Sequence, residues 1–383
     1  YKQYTKRIEL AEDFVTLAYK EFERFVKGEK DNSGINLGEE NEYVEVFLRK
    51  VKPAYLPTKI KKYGMDEKQY LLGKINYFKI GIVTERVVEE YIKKSDEHRE
   101  FFRNELEPKL RVYDRIGYFV FPYYSSKGTL TSFKLRDLND SSRTSRVFKV
   151  LNKKGVFGGY GAVKYVFEDR DSKIRFRFPF CAVTEGETDA ISLAYAGVVP
   201  VIAVGSASNY SVLLSEFKLS EFKFSTKLGY VPIIFPDFDP MSVESAGAGI
   251  DALFRLEQER KKIYRETGNF EKIFVLCDRI AYAGKKDINE ALKISRIEDI
   301  LCCRIEELKE ANKIFRDEWN RYKIEEYKKL KDKLERELSP ELAKVYAKTL
   351  GIKEILEKKK FVVNLADLYE RDDSEYPEPI LGR

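Results

Sequence analysis

The feature that most constrains the fold is an alternation of short apolar stretches with helical stretches over residues 181–295. Such alternation predicts βαβ units and therefore a mostly parallel sheet flanked by helices. The predicted strands are 181–184, 199–204, 231–235 and 272–276. The predicted helices are 189–197, 209–222, 247–265 and 287–295. Because open sheets of this class bind ligands beyond the carboxyl ends of their strands, polar residues at those ends are candidates for function.

Acidic residues occupy these strand ends. Glu185 directly follows the first strand, and Asp189 lies in the first turn of the next helix. Asp237 and Asp239 follow the third strand, and residues i and i+2 of an extended segment face the same way. Asp287 lies at a loop-to-helix boundary after the fourth strand. Clustered carboxylates repel one another unless a cation compensates them, and an oxygen-only donor set favours Mg²⁺ or Mn²⁺ over zinc.

Three further regions flank this alternation, which we place in a domain of residues 180–300. Residues 1–110 carry a helical spacing of apolar residues, and residues 111–179 are a basic mixed subdomain with a predicted hairpin. Residues 301–383 read as a charged helical region that ends in a linker. The predicted fold class is therefore α+β, with a mostly parallel α/β domain preceded by a small mixed subdomain and flanked by helical regions.

Composition excludes some classes of protein. The chain has 383 residues, of which 43% are hydrophobic, so it is long and apolar enough for two or three domains. No apolar run approaches the length of a membrane span, so we expect no membrane partner. The four cysteines form no C-x-x-C pair, which favours a reducing compartment and predicts a cytoplasmic protein.

Basic residues concentrate on the second strand of the predicted hairpin and after it. Lys134 and Arg136 lie two apart on that strand and so share a face. The basic stripe continues through Arg143, Arg146, Lys149, Lys153 and Lys154. Aromatic residues that we expect to offer surface beside it are Tyr123, Phe133, Phe148, Phe157 and Tyr160. This mixture suits a single-stranded template, because backbone charge and base stacking both contribute to binding.

Several motifs together resemble a known family. EGETDAISL, PDFDP with a downstream AGAG, and KDINEAL, in this order on the alternation, resemble the Toprim domain of DnaG-type primases and phage primase–helicases. Three upstream stretches are similar to the primase catalytic core: INYFKIGIVTERVVEEYI, RIGYFVFPYYSSKGTLTSFKLRDL and FKVLNKKGVFGGYG. The resemblance covers roughly residues 76–295.

The resemblance implies a DNA primase, a nucleotidyltransferase that synthesises short primers from nucleoside triphosphates on single-stranded DNA. It implies that Asp237, Asp239 and Asp287 hold Mg²⁺ or Mn²⁺, and that Glu185 is either a further ligand or a general base. Asp189 is expected to orient one of these groups. Lys134, Arg136, Arg143, Arg146 and Lys149 are the residues expected to bind nucleic acid or nucleotide. A replicative helicase, fused or separate, is an expected partner, and a phage or mobile element an expected source.

The chain also departs from the family pattern. Residues 240–246 separate Asp239 from the next glycine, Gly247, which leaves the start of the following helix open. The sequence has no Cys and His set for a zinc module and no G-x-x-x-x-G-K-[ST] helicase motif.

Two alternatives stay open at this stage. One is a Toprim nuclease or topoisomerase-like enzyme that cleaves DNA, and the other is a non-catalytic nucleic-acid-binding module. The intact acidic set argues against the second. The sequence does not determine the template sequence, RNA or DNA as product, the number of metal ions, the oligomeric state, or whether zinc-binding and helicase domains lie outside this chain.

Overall fold

A computed structural model of the chain describes most of its first 300 residues. The described residues are 2–29, 37–57, 66–110, 117–138, 145–162, 180–219, 231–239, 247–268, 273–276, 282–297, 300 and 362–364. Arg143, one of the predicted nucleic-acid contacts, lies outside them. So does nearly all of the predicted charged helical region over 301–383, whose three described residues form a strand rather than a helix.

Helices make up most of the described N-terminal region. They are α1 (Lys2–Lys27), α2 (Leu37–Val51), α3 (Glu67–Phe78), α4 (Glu85–Lys93), α5 (Asp96–Phe101) and α6 (Glu107–Leu110). A π-helical turn over Phe102–Leu106 joins the last two. Thr84 caps α4 by accepting a hydrogen bond from the backbone N–H of Val87, as N-cap hydroxyls do. The structure has two hydrophobic cores, and helix α1 contributes buried apolar side chains to both of them.

The described strands form one mixed sheet. They are β1 (Gly81–Val83), β2 (Tyr118–Tyr124), β3 (Leu130–Arg136), β4 (Arg146–Lys149), β5 (Val156–Phe157), β6 (Phe180–Thr184), β7 (Val201–Ala203), β8 (Val231–Phe235), β9 (Phe274–Leu276) and β10 (Val362–Asn364). Their order is β10-β9-β8-β6-β7-β5-β2-β3-β4, with β1 paired to β2. The predicted hairpin is confirmed as β2 and β3, which pair antiparallel.

The parallel part of the sheet is where the alternation predicted it. β6 pairs in parallel with β7 and with β8, and β8 pairs in parallel with β9. Three α-helices belong to this part: α7 (Glu187–Tyr195), α8 (Ala248–Thr267) and α9 (Ile288–Leu292). The α+β class and the parallel strands are therefore confirmed, while the assignment to a Toprim domain stays a prediction.

The predicted helix over 209–222 is wrong in type. The segment Ala207–Leu214 is a 3₁₀-helix, and residues 220–222 lie outside the described residues. Polar side chains at its start bond locally, since the Asn209 amide donates to the Val204 carbonyl (3.2 Å) and the Ser206 and Ser208 hydroxyls bond to each other (2.8 Å). Such local bonds compete with the α-helical backbone pattern.

A single residue pair joins the basic hairpin to the parallel strands. β5 pairs with β2 on one side, and its Phe157 pairs antiparallel with Ala203 of β7 on the other. Phe157 is buried and stacks on Phe78 of α3, with ring centroids 4.7 Å apart. One hydrophobic core runs through both parts as a result. Among the described helices, none combines the length and the apolar character that a membrane span needs.

Candidate active site

The carboxyl end of β6 places Glu185 at the edge of the parallel strands. The Gly205 N–H donates to the Glu185 carbonyl at 2.9 Å, which ties the segment after β6 to the segment after β7. The Glu185 side chain is half-buried, and burial raises its pKa. A hydrogen bond from the Ala207 N–H lowers this pKa, whereas the negative charge of Asp239 raises it further. Its Oε2 atom is buried and has no hydrogen-bond partner among the described residues.

Asp237 and Asp239 follow β8 as predicted, and the start of α8 closes against them. Gly247 precedes α8 with φ of 100°, and a Cβ there would lie 2.8 Å from the Asp239 carbonyl oxygen. A Cβ on Gly249 would lie 2.5 Å from the Asp237 carbonyl oxygen. Only glycine permits this approach. The helix start that the sequence left open is therefore set at Ala248 despite the residues between Asp239 and Gly247.

Asp287 caps α9, and Asp189 reaches the same helix from α7. The Asp287 carboxylate accepts the Glu290 N–H at 2.8 Å. Asp189, which is 5% exposed, accepts the Asn289 N–H at 3.2 Å. A second bond between these helices runs from the Ser192 hydroxyl to the Asn289 side chain at 2.9 Å. The orienting role expected of Asp189 stays a prediction.

The carboxylates of these segments act on one another. Burial is the largest cause of the raised pKa of Asp237, which is about 7, and the charges of Glu185 and Asp287 add to it. Burial also raises the pKa of Asp189 well above its usual range, with the charges of Asp237 and Asp287 as the next causes. Burial raises the pKa of Asp287, and the hydrogen bond from the Glu290 N–H partly offsets this rise. Acids from four separate segments thus share one electrostatic environment.

Lys286 supplies positive charge inside this acidic cluster. Its ammonium lies 2.8 Å from Oδ1 of Asp239, and this hydrogen bond is the main cause of its raised pKa. The Phe238 N–H donates to the Lys286 carbonyl at 2.7 Å, which brings the loop after β8 beside the loop before α9. Sequence reasoning passed over Lys286, although its place directly before Asp287 was a usable signal.

Glu187 is the second residue that sequence reasoning missed. Its side chain is 2% exposed and lies 2.5 Å from the Lys134 ammonium, while a guanidinium nitrogen of Arg136 lies 3.7 Å away. The Tyr123 hydroxyl donates a short hydrogen bond to Glu187, and Lys134 also donates to the Gly205 carbonyl at 3.1 Å. Helical spacing was the signal that could have identified it. Glu187 lies on the same helix face as apolar residues at i+4 and i+7, so its carboxylate is expected to be buried and to need a cation beside it.

The remaining basic residues lie apart from this cluster. Arg146 donates to the Lys109 carbonyl at 2.7 Å, and Lys149 lines a separate cleft of about 590 Å³ with Arg7 and Tyr4. The expectation that the interleaved aromatic residues offer surface is wrong for four of them, which are at most 6% exposed: Tyr123, Phe133, Phe148 and Phe157. They face the core because their strands are covered by helices, so they are not available to stack on bases.

The donor chemistry of the acidic cluster fits a hard divalent cation. The candidate ligands Glu185, Asp237, Asp239 and Asp287 offer only carboxylate oxygens, which Mg²⁺ and Mn²⁺ prefer. The unpartnered Oε2 of Glu185 is an acceptor with spare capacity. Among the described residues, no three acidic, histidine or cysteine side chains lie close enough together to hold a metal ion.

No protein-family model matches the chain, and no curated protein matches it. Among solved structures, it is similar to a DnaG catalytic core, with 14% identity over 70% of this chain and 71% of that one and a TM-score of 0.40.

A DnaG primase catalytic domain bound to single-stranded DNA matches with 14% identity over 70% of this chain and 74% of that one, at a TM-score of 0.39. The Aquifex aeolicus primase, in its zinc-binding and RNA polymerase domains, matches with 18% identity over 92% and 74%, at a TM-score of 0.38. Similarity at this level says what the chain resembles and assigns it no activity.

Proposed function

We propose that the chain is the catalytic core of a DNA primase that joins nucleotides on a single-stranded DNA template with the help of Mg²⁺ or Mn²⁺. The observation that carries this proposal is the shared electrostatic environment of the carboxylates after β6, after β8 and before α9. Burial raises the pKa values of Asp189, Asp237 and Asp287, and the charges of other acids in the cluster add to the rise for Asp189 and Asp237. Such an arrangement is unfavourable on its own and is the expected environment for a bound cation.

Asp237, Asp239 and Asp287, with Glu185 as a further ligand or as a base, are the residues proposed to hold the cation. When bound, a divalent ion supplies positive charge that offsets the negative charge of the reacting phosphates. Asp189 keeps α9, and with it Asp287, in place through its hydrogen bond to Asn289. In the base role, Oε2 of Glu185 is the atom that would accept the proton of the attacking 3′-hydroxyl, because it has no other partner among the described residues.

Phosphate recognition needs cations outside the metal site. Arg136 is the better candidate of the predicted pair, because its side chain is 37% exposed and its contact with Glu187 is long, at 3.7 Å. Lys134 is 13% exposed and is held at 2.5 Å by the same carboxylate. Both lie on β3, whose end is close enough to Glu185 for Lys134 to lower the pKa of that acid. We therefore assign Arg136 to the nucleotide or template and Lys134 to the support of the site.

The test is a primer-synthesis assay with single-stranded DNA, nucleoside triphosphates and Mg²⁺ or Mn²⁺. We expect short new oligonucleotides from the wild type, and a loss of at least about 100-fold in Asp237→Asn and Asp239→Asn with template binding retained. Full activity in both variants would refute the metal site. Cleavage of the template instead of synthesis would favour the DNA-cleaving alternative, and binding with neither reaction would favour a non-catalytic module.

A further inference from the structure

Buried tyrosine hydroxyls adjoin the proposed metal site. Tyr210 and Tyr282 are 1% and 0% exposed, and neither hydroxyl has a hydrogen-bond partner among the described residues. A buried hydroxyl without a partner is unfavourable, so the presence of two beside one site needs an explanation. Tyr195 is a further buried tyrosine, but burial and the nearby Glu67, not the acidic cluster, raise its pKa.

Tyr282 is fixed against both acidic loops. Its ring meets the ring of Phe238, the residue between Asp237 and Asp239, edge to face at a centroid distance of 5.1 Å. The Tyr282 backbone carbonyl accepts a hydrogen bond of 2.9 Å from the N–H of Lys285, which lies two residues before Asp287. The side chain therefore lies between the segment that follows β8 and the segment that precedes α9.

Tyr210 approaches the cluster from the other side. It belongs to the 3₁₀-helix Ala207–Leu214, which begins with the residue whose N–H contacts Glu185. That 3₁₀-helix packs against α8, whose first turn touches the Asp237 carbonyl. Burial, followed by the charges of Glu185 and Asp237, raises the pKa of Tyr210 well above its usual range. A tyrosine hydroxyl can donate one hydrogen bond, and that of Tyr210 has no acceptor among the described residues.

The unpartnered atoms of the cluster are chemically complementary. Glu185 Oε2 is a buried acceptor without a donor, while the Tyr210 and Tyr282 hydroxyls are buried donors without acceptors. The charges of Asp237 and Asp189 are among the causes that raise the pKa values of both tyrosines. A small rearrangement of the carboxylates would satisfy donors and acceptors together.

We propose that Tyr210 and Tyr282 are positioning residues, whose hydroxyls donate hydrogen bonds to the carboxylates and hold them in the arrangement that binds a divalent cation. The inference rests on the proposed function, because it needs the carboxylates to be metal ligands. Groups that orient metal ligands in this way commonly contribute 10-fold to 100-fold to metal affinity. In the metal-free protein these hydroxyls form no hydrogen bond with the described residues, so we expect them to add no stability there.

The experiment measures Mn²⁺ affinity by calorimetric titration of the full 383-residue chain, together with thermal unfolding in EDTA. We expect Tyr282→Phe to weaken Mn²⁺ binding about 10-fold or more, and Tyr210→Phe to weaken it in the same direction. We expect the melting temperature in EDTA to stay the same or rise, because each variant removes an unsatisfied buried hydroxyl. A merely structural role would instead lower the stability of the metal-free protein.

Tyr195→Phe is the matched control, because Tyr195 is a fully buried tyrosine that packs on Tyr70 and lies near Glu67 instead of the proposed metal ligands. It should bind Mn²⁺ as the wild type does. Binding within about twofold of wild type in both Tyr282→Phe and Tyr210→Phe would overturn the inference and leave the proposed function standing. A wild type that binds no Mn²⁺ would overturn both.

Discussion

At the scale of single residues, the side chains of Glu185, Asp189 and Asp237 have raised pKa values and so hold their protons more tightly than ordinary carboxylates do. Burial is the largest cause for Glu185, Asp189 and Asp237, and neighbouring negative charge adds to it. The only close positive partner described for Asp239 is Lys286, at 2.8 Å. The free protein therefore carries a local excess of negative charge, which a divalent cation would relieve.

The pKa of Asp237 predicts how stability depends on pH. Its value of about 7 in the folded protein exceeds the usual 3.8, so the folded state binds more protons than the unfolded state between these values. The free energy of unfolding should therefore fall as pH rises from about 4 to about 7. In Asp237→Asn this fall should be smaller, and at pH 8 the variant should be more stable than wild type by at least about 1 kcal/mol.

Urea unfolding in EDTA at a series of pH values measures this effect. The difference between the two proteins should shrink toward pH 4, where the wild-type carboxyl is protonated in the folded state. Equal slopes of stability against pH in wild type and variant would contradict the prediction.

At the scale of elements, the first turn of α7 and strand β3 meet through one buried ion pair. Glu187 and Lys134 are 2% and 13% exposed, and their charged atoms lie 2.5 Å apart. Lys134 also donates to the carbonyl of Gly205, next to the segment that carries Glu185. The basic hairpin is thus attached to the acidic site by a charge pair as well as by the sheet.

Breaking that pair should be costly. Lys134→Met would leave Glu187 buried without its main cation, and removing one partner of a buried pair costs about 3–5 kcal/mol. The double variant Lys134→Met with Glu187→Gln should recover much of that loss, because no uncompensated charge remains. Urea unfolding of the single and double variants measures both effects.

Lys93→Met is the control for the substitution itself. Lys93 pairs with Glu89 on the exposed face of α4, and such pairs contribute little to stability. A loss in Lys134→Met no larger than that in Lys93→Met would show that the buried pair does not support the fold. Because a substitution of Lys134 is expected to lower stability, it is a poor test of template binding. Arg136→Ala tests template binding more directly.

At the scale of the whole molecule, the two parts of the sheet depend on one short strand. β5 consists of Val156 and Phe157, and its link to the parallel strands is the single pair Phe157–Ala203. The Phe157 ring stacks on Phe78 and meets Phe121 edge to face at 5.5 Å. The side-chain contacts of Phe157 therefore contribute much of the packing between the basic hairpin and the parallel strands.

Phe157→Ala should lower the free energy of unfolding by about 3–5 kcal/mol, the range for removing a buried aromatic side chain. We also expect the unfolding curve to broaden or divide into separate transitions, because the two parts lose their shared packing. Denaturant unfolding followed by tyrosine fluorescence and by circular dichroism measures this. A loss below about 1 kcal/mol with coincident curves would contradict it.

The elements of the parallel part were predictable because local physics sets them. Apolar runs of strand length separated by helical spacing produced β6, β8 and β9 near their observed limits, and acids at their ends were recognisable as candidates. The 3₁₀-helix was mistaken for an α-helix because apolar spacing does not show that the side chains of Asn209 and the two serines bond locally, in competition with the α-helical backbone pattern. The exposure of the aromatic residues on β2, β3, β4 and β5 was misjudged because the sequence of a strand does not say whether helices cover its face.

By itself, the sequence determined the order of strands and helices, the parallel arrangement and the chemical class of the candidate site, since these follow from periodicity and residue type. Tertiary structure alone decided which charges face one another. It placed Lys134 on Glu187 and Lys286 on Asp239, and it buried Tyr210 and Tyr282 beside the acids. The physical reason is that such contacts join segments distant along the chain, and their energies depend on burial and distance, neither of which a local pattern encodes.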